Sequence, residues 1–156
     1  PFFFFFLEYS RVTNWTFNQD LPRNRYLFKN NLISAAMGND YDLTDISLLR
    51  WFGELTVASL NFSYLRQGEG SVAAEWSEPW LNQDGSYDEP FPTGTVEKST
   101  SRSVGLKGYL RSVAAYDIEA GFNRITNFGH IEPDDRTIPF LKLSLSATFS
   151  TILDAR

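Results

Sequence analysis

The chain has 156 residues, 42% of them apolar and 16% aromatic, which suffices for one folded domain. It has no cysteine and one histidine, His130, so a disulfide framework, a cysteine nucleophile and a metal site built from several histidines are excluded. With 14 basic and 19 acidic residues the net charge is −5, which leaves no electrostatic basis for binding nucleic acid.

The hydropathy of the chain predicts no transmembrane helix, because no run of 18 apolar residues occurs. The mean hydropathy of −0.28 is nevertheless compatible with strands that cross a membrane, since such strands carry their apolar residues only in alternate positions. The first residue is Pro1 instead of Met, as expected for a mature protein or for an ordered fragment.

Glycine and proline divide the sequence into six segments of roughly 10 to 14 residues, which we predict to be strands. Strands of soluble proteins usually have about 5 or 6 residues, whereas a tilted strand needs about 9–11 to cross a membrane. In chain order, the predicted strands are residues 1–12, 41–52, 55–66, 101–111, 116–128 and 138–151.

Five of these segments alternate apolar and polar residues with a period of two. The last is the clearest, with Leu141, Leu143 and Leu145 on one face and Lys142 and Ser144 on the other. The first begins with five consecutive phenylalanines, so alternation alone does not assign its faces. The apolar sets of the other four segments are Thr44, Ile46, Leu48 and Phe52; Thr56, Ala58, Leu60, Phe62 and Tyr64; Val104, Leu106 and Leu110; and Tyr116, Ile118, Ala120 and Phe122.

The predicted connections are of two kinds. Residues 53–54 and 113–115 form short turns, whereas long loops extend over about 13–40, 67–98 and 129–137. Short turns at one end of the strands and long loops at the other are typical of outer-membrane barrels, as are aromatic residues near the strand ends. The alternative is a soluble β-sandwich in which the apolar faces form the core.

Six strands are too few for a complete membrane barrel, since the smallest known have eight. Open strand edges are not tolerated in hydrocarbon, because unpaired backbone groups there cost several kcal/mol each. We therefore predict an all-β chain whose residues 1–156 form the C-terminal portion of a larger antiparallel transmembrane β-barrel. A barrel shared by several chains is the other possibility.

Several short motifs resemble the capsule-assembly (Wzi-like) outer-membrane family, in the order expected for the C-terminal part of its barrel. They are LEYSRV at residues 7–12, YLRQGE at 64–69, DEPF at 88–91 with GTVE at 94–97, and the segment 116–130, which is similar to the penultimate strand of that family. The loop at 15–39 departs from the family pattern, which is richer in His and Gly. The resemblance implies a barrel that holds surface polysaccharide without catalysis, and it implies that amino-terminal strands and a periplasmic helical part lie outside this chain.

The loop at 67–98 is rich in aromatic residues and carboxylates. Its rings could stack on sugars while the carboxylates accept hydrogen bonds from hydroxyl groups. The alternative is a loop that folds inward and plugs the barrel with its own aromatic cluster. The predicted glycan or partner contacts in this loop are Trp76, Trp80, Tyr87 and Phe91.

A basic stretch in the first long loop contains Arg23, Arg25 and Lys29. An anionic surface glycan or a lipopolysaccharide phosphate is a natural partner for such a group, since guanidinium and ammonium groups form charge-assisted hydrogen bonds with phosphate. The alternative is an ordinary solvated loop.

Charged residues within the predicted strands are expected to face the barrel lumen. There they could line a solute path, but pairing across neighbouring strands to fill the interior is the favoured prediction. These residues are Arg102, Lys107, Asp117, Glu119 and Lys142.

The sequence gives no support for catalysis. It has no Gly-x-Ser-x-Gly elbow, His130 has no fixed acid nearby in the sequence, and Asp134 and Asp135 match no acid–base pair. The acidic residues of the 67–98 loop match no calcium-binding loop. We therefore predict no catalytic residue, no cofactor and no metal.

The predicted function is non-enzymatic: the barrel binds or organises capsular or other surface polysaccharide at the exterior of the bacterial outer membrane. The expected partners are surface polysaccharide or lipopolysaccharide and outer-membrane lipids. One alternative is a structural or transport subunit of a larger outer-membrane assembly, whose loops bind other membrane proteins. A secreted β-sandwich with lectin-like loops comes next, and an outer-membrane hydrolase last.

Overall fold

The computed structural model of the chain describes residues 3–16, 27–28, 31–32, 37–72, 90–110 and 114–147, and within them it is an all-β protein. In chain order the strands are β1 (Phe3–Val12), β2 (Leu27–Phe28), β3 (Asn31–Leu32), β4 (Tyr41–Phe52), β5 (Thr56–Gln67), β6 (Glu97–Leu110), β7 (Ala114–Thr126) and β8 (Arg136–Ala147). A 3-10 turn spans Phe128–His130.

The six long strands form one antiparallel sheet in the order β1-β4-β5-β6-β7-β8, and β2 pairs with β3 in a separate two-stranded sheet. All six predicted strands are confirmed as strands. The main difference is that β6 starts at Glu97, four residues before the predicted start. The polar residues 97–100 read as loop in the sequence, but they continue the ladder opposite Tyr64, Leu65, Arg66 and Gln67.

The register of the ladder places the predicted apolar sets on one face of the sheet. Leu60 pairs with Val104, Val104 with Ala120, and Ala120 with Leu141. Because side chains alternate along a strand, every second residue from these positions lies on the same face. The apolar face comprises Phe3, Phe5, Leu7, Ile46, Leu48, Ala58, Leu60, Phe62, Val104, Leu106, Ile118, Ala120, Phe122, Leu141, Leu143 and Leu145.

The opposite side is the polar face. In the ladder, Phe6 of β1 pairs with Ser47, and Ser47 pairs with Asn61. Phe6 therefore lies on the polar face, together with Phe4 and Glu8. This register assigns the faces of the first strand, which alternation in the sequence left open. The main polar residues of this face are Glu8, Asp45, Ser47, Ser59, Asn61, Ser63, Ser101, Ser103, Lys107, Asp117, Glu119, Asn123, Lys142, Ser144 and Ser146.

The apolar face is the more exposed of the two faces. In the middle of the sheet, Leu60 is 53% exposed and Val104 is 55% exposed, while the adjacent Ser103 on the polar face is only 9% exposed. Among the described residues, only three apolar side chains are buried: Tyr41, Val72 and Pro92. The burial is therefore inverted relative to a soluble sandwich, in which the apolar face would pack against a second layer.

The sheet is open rather than closed. β1 and β8 lie at its two edges, and within the described ranges no strand pairs with the outer side of either. An unpaired edge exposes a row of backbone donors and acceptors that forms a template for a further strand.

Connections of different length leave opposite ends of the sheet, as predicted. β4 and β5 are joined through Gly53, Glu54 and Leu55, and three residues separate β6 from β7. The connections β1–β4, β5–β6 and β7–β8 all leave the other end, where Val12 is opposite Tyr41 and Tyr41 is opposite Gln67. We call this the long-connection end.

The prediction that Arg102 shares a face with the lumen-directed charges is wrong. Arg102 lies on the apolar face, where the ladder pairs it with Phe62 and Phe122. Its guanidinium carbon is 5.8 and 5.9 Å from the centroids of these two rings. The physical reason is that side chains alternate between the two faces of a strand. Arg102 is two residues from Val104 and therefore projects from the same face.

Gly121 permits the close approach of β6 and β7. A Cβ atom at this position would overlap the carbonyl oxygen of Arg102 and lie 2.8 Å from the Cβ of Ser103. We expect Gly121→Ala to destabilise the folded chain by about 1–3 kcal/mol, the usual cost of overpacking. The midpoint of urea unfolding measures this loss, with Ser144→Ala on the exposed part of the polar face as the control. Equal midpoints for the two variants would contradict the prediction.

Candidate functional site

The long-connection end of the sheet is held together by the carboxylate of Asp40. This residue is fully buried and has a left-handed backbone with φ of 62°. Its carboxylate accepts hydrogen bonds from the backbone N–H of Gly70 at 2.9 Å, from the backbone N–H of Thr93 at 3.0 Å and from the hydroxyl of Thr93. One side chain thus ties the end of the first long connection to both ends of the second.

The backbone around Asp40 reinforces this arrangement. The N–H of Gly68 donates to the Asp40 carbonyl at 2.8 Å, and the N–H of Glu69 donates to the Thr93 carbonyl at 3.0 Å. Gly68 has no room for a side chain, because a Cβ there would overlap the Asp40 carboxylate and lie 2.6 Å from the Thr93 nitrogen. Asn39, which is also buried, donates through its side-chain amide to the carbonyl of Asn14.

The third long connection is tied to the second by a separate group of bonds. The Nδ1 atom of His130 lies 2.7 Å from the carbonyl oxygen of Thr95, and the Asn127 amide donates to the Val96 carbonyl at 3.2 Å. The N–H of Gly129 donates to the Glu97 carboxylate at 2.7 Å. The single histidine therefore anchors a loop through its ring nitrogen.

Asp134 and Arg136 close the base of the third connection. Arg136 donates two hydrogen bonds to the Asp134 carboxylate, at 3.1 and 2.7 Å, and its guanidinium stacks 3.7 Å from the centroid of the Phe128 ring. These hydrogen bonds, followed by the positive charge of Arg136, lower the pKa of Asp134 below its ordinary value. Arg136 thus stabilises the ionised form of Asp134.

Most of the predicted contact residues lie outside the described part of the chain. This applies to Trp76, Trp80 and Tyr87 of the second long connection and to Arg23, Arg25 and Lys29 of the first. Phe91 is described, and the guanidinium of Arg11 lies 3.9 Å above its ring centroid. Phe91 is half-buried at the point where the second connection returns to the sheet.

A chain of hydrogen bonds crosses the polar face and joins one residue from each of the five strands β4 to β8. Ser47 donates to Asn61 at 3.0 Å, Asn61 to Ser103 at 3.2 Å, and Ser103 to Glu119 at 2.8 Å. Lys142 continues this chain by donating to Glu119 at 3.0 Å. The expected cross-strand pairing of charges is therefore confirmed for Lys142 with Glu119.

Lys107 and Asp117 form a second cross-strand pair, at 3.0 Å. The two residues are directly opposite in the β6–β7 ladder. Both side chains are largely exposed, so their attraction is screened by solvent and adds little stability. The predicted pairing across neighbouring strands is therefore confirmed for Lys107 with Asp117.

Comparisons with known proteins find no match to this chain among protein-family models, curated proteins or solved structures. The resemblance to the capsule-assembly family accordingly stays a prediction based on its motifs. Within the described ranges, no group of three or more His, Asp or Glu side chains is arranged to hold a metal ion. No helix in the part of the chain that the structure describes has the length and apolar character needed to cross a membrane.

The Asp40 cluster was missed by sequence reasoning, although its parts are visible in the sequence. Asn39 and Asp40 directly precede β4, and Gly68 and Gly70 are the first and third residues after β5. Because β4 and β5 are antiparallel neighbours, these positions meet at the same end of the sheet. A short polar residue before one strand and a Gly-x-Gly after the next is the signal that could have identified the cluster.

Proposed function

We propose that this sheet forms part of the wall of an outer-membrane β-barrel that binds or organises capsular or other surface polysaccharide without catalysis. The observation that carries the proposal is the inverted burial, in which apolar side chains in the middle of the sheet are more exposed than their polar neighbours. Lipid tails on the apolar face and water on the polar face are the surroundings that match this arrangement.

The energetics of the apolar face support a lipid environment. Burying one Leu, Ile or Phe side chain contributes about 1.5–3 kcal/mol, and sixteen residues of the apolar face share one continuous surface. Soluble monomers rarely expose contiguous apolar patches larger than a few hundred Å². A face of this extent therefore requires a covering, and a bilayer covers every strand of it at once.

The lengths of the strands and their free edges support a larger barrel. The six long strands have 10 to 14 residues each, compared with about 9–11 needed to cross a bilayer at a tilt. The free edges of β1 and β8 would be satisfied by further strands, because hydrocarbon does not tolerate an open edge. In this proposal the chain is the C-terminal portion of the barrel.

The long connections are the proposed site of polysaccharide binding. The described bases of these connections are joined to one another by hydrogen bonds of Asp40, Asn127 and His130. Aromatic rings on these connections would stack on sugar faces, with Trp76 and Trp80 as the main candidates. The motifs that resemble the capsule-assembly family support a glycan as the ligand.

One observation favours the alternative of a structural subunit in a larger outer-membrane assembly. Phe4, Phe6 and Trp51 lie on the polar face, and each is 44–56% exposed. Aromatic side chains on the water-facing side of a barrel wall would be covered by a protein segment inside the lumen. Binding of such a partner does not require polysaccharide.

A double substitution tests the glycan assignment in cells that express the full-length protein. We expect Trp76→Ala with Trp80→Ala to leave the protein in the outer membrane and to reduce retained surface polysaccharide several-fold, because two stacking platforms are lost. One aromatic ring that stacks on a nucleic-acid base contributes about 1–3 kcal/mol to the free energy of binding, and we expect a comparable contribution on a sugar. The measurement is polysaccharide retained on washed cells.

Trp51→Ala is the matched control, since Trp51 lies at the end of β4 opposite to the long connections. It should leave retention unchanged. Unchanged retention in the double variant would refute the glycan assignment and favour the subunit alternative. Recovery of the wild-type protein in the soluble fraction without detergent would refute the membrane location itself.

A further inference from the structure

We propose that three cations on the apolar face, Lys98, Arg102 and Arg124, bind the phosphate groups of membrane lipids. This inference rests on the membrane location proposed above and adds to it a specific lipid chemistry. The three residues lie on the neighbouring strands β6 and β7, and we refer to them as the basic belt.

The register brings the three cations of the basic belt together. Arg124 is directly opposite Thr100, which lies between Lys98 and Arg102 on the same face of β6. Diagonal neighbours in an antiparallel pair have Cβ atoms about 7–8 Å apart or less, so Arg124 is within reach of both other cations. A phosphate placed above Thr100 could accept hydrogen bonds from all three.

The basic belt is not neutralised by protein carboxylates. All three side chains are exposed, and within the described part of the chain none of them forms an ion pair. Like charges at adjacent cross-strand positions repel one another and destabilise the sheet. An anion from outside the protein would remove this repulsion.

The distribution of charge between the two faces supports an anionic ligand at this face. The chain as a whole carries a net charge of −5, yet the strand residues on this side of the sheet are predominantly basic. Its charged strand residues are Arg11, Arg50, Arg66, Lys98, Arg102, Arg124 and a lone carboxylate, Asp42. Since Asp42 is already paired with Arg66, it is not available to the basic belt.

The position of the basic belt identifies its occupant as a lipid. Arg102 is flanked by Phe62 and Phe122, and Val104 of the apolar face follows two residues later on the same strand. The ladder then places Tyr64 in the row of Thr100 and Arg124, at the border between apolar and charged residues. Aromatic and basic residues at such a border lie at the level of lipid headgroups in membrane proteins.

The test measures which lipids stay bound to the full-length protein after purification in a neutral detergent. The protein is incubated with mixed micelles of phosphatidylcholine and phosphatidic acid, whose phosphate monoester is accessible, and retained lipids are quantified by mass spectrometry. We expect phosphatidic acid to be enriched over phosphatidylcholine. Each cation removed should lower the enrichment roughly fivefold, which corresponds to about 1 kcal/mol for a basic side chain near an anionic lipid surface.

The enrichment of phosphatidic acid is compared between two triple variants. The variant of the basic belt is Lys98→Gln, Arg102→Gln and Arg124→Gln, and it should lose the enrichment. The matched variant removes the same charge from the other face through Lys107→Gln, Arg136→Gln and Lys142→Gln, and it should retain the enrichment. The single substitution Arg124→Lys keeps the charge and is expected to keep most of the binding, which guards against a folding defect in the triple variant.

Three results would overturn the proposal. They are equal enrichment in both triple variants, no preference for phosphatidic acid in the wild-type protein, and displacement of phosphatidic acid by inorganic phosphate at the same phosphate concentration. The last would indicate a free-phosphate site. Failure of the proposed function is a distinct outcome, in which the wild-type protein needs no detergent and retains neither lipid.

Discussion

Leu143→Lys is expected to lower the free energy of unfolding from a bilayer by about 2–4 kcal/mol, and so to destabilise the folded protein. Leu143 lies on the apolar face and is 69% exposed, so in the proposed barrel its side chain points into the lipid tails. A lysine near the middle of the bilayer carries a cost of this size, because its ammonium group loses hydration. The measurement is urea titration of the full-length protein folded into phosphatidylcholine vesicles.

The neighbouring substitution Ser144→Lys is the matched control. It introduces the same charge one residue further along β8, on the polar face, where the ladder pairs Ser144 with Asp117. We expect this variant to change stability by no more than about 0.5 kcal/mol, the usual range for surface substitutions. If the two variants were equally stable, or if Leu143→Lys made the protein soluble and folded without lipid, the apolar face would be facing water.

Asp40→Ala is expected to cost at least about 3 kcal/mol and to release the long connections. The substitution leaves three donors without their acceptor, namely the N–H of Gly70 and the N–H and hydroxyl of Thr93. An unsatisfied buried donor costs about 1–3 kcal/mol. Thermal unfolding measures the loss of stability, and limited proteolysis between residues 70 and 93 measures the release of the connection.

Two further variants separate this effect from the loss of any carboxylate. Asp40→Asn retains the size of the side chain, and asparagine tolerates a positive φ, so it should cost less than alanine. Glu54→Ala removes an exposed carboxylate from the hairpin at the other end of the sheet and should be neutral. Wild-type resistance to proteolysis in Asp40→Ala would show that the cluster does not hold the connections.

The sequence alone determined the strands, because the signals that define them are local. Alternation with a period of two in segments such as Ile138–Ala147 requires only neighbouring residues to be read, and a glycine such as Gly53 marks a tight turn. The same alternation separates an apolar from a polar face on each strand. It also predicted that Lys142 and Glu119 would share a face, and they form a cross-strand ion pair.

Only the tertiary structure decided how these faces combine, because register and loop contacts join residues far apart in the chain. Registration of six strands placed every apolar set on one side, moved Arg102 to that side and brought Arg124 between Lys98 and Arg102. Burial of Asp40 depends on a threonine 53 positions later in the sequence. A local sequence pattern does not predict such pairings. The interactions that stabilise them involve residues that are distant in the sequence and meet only in the folded sheet.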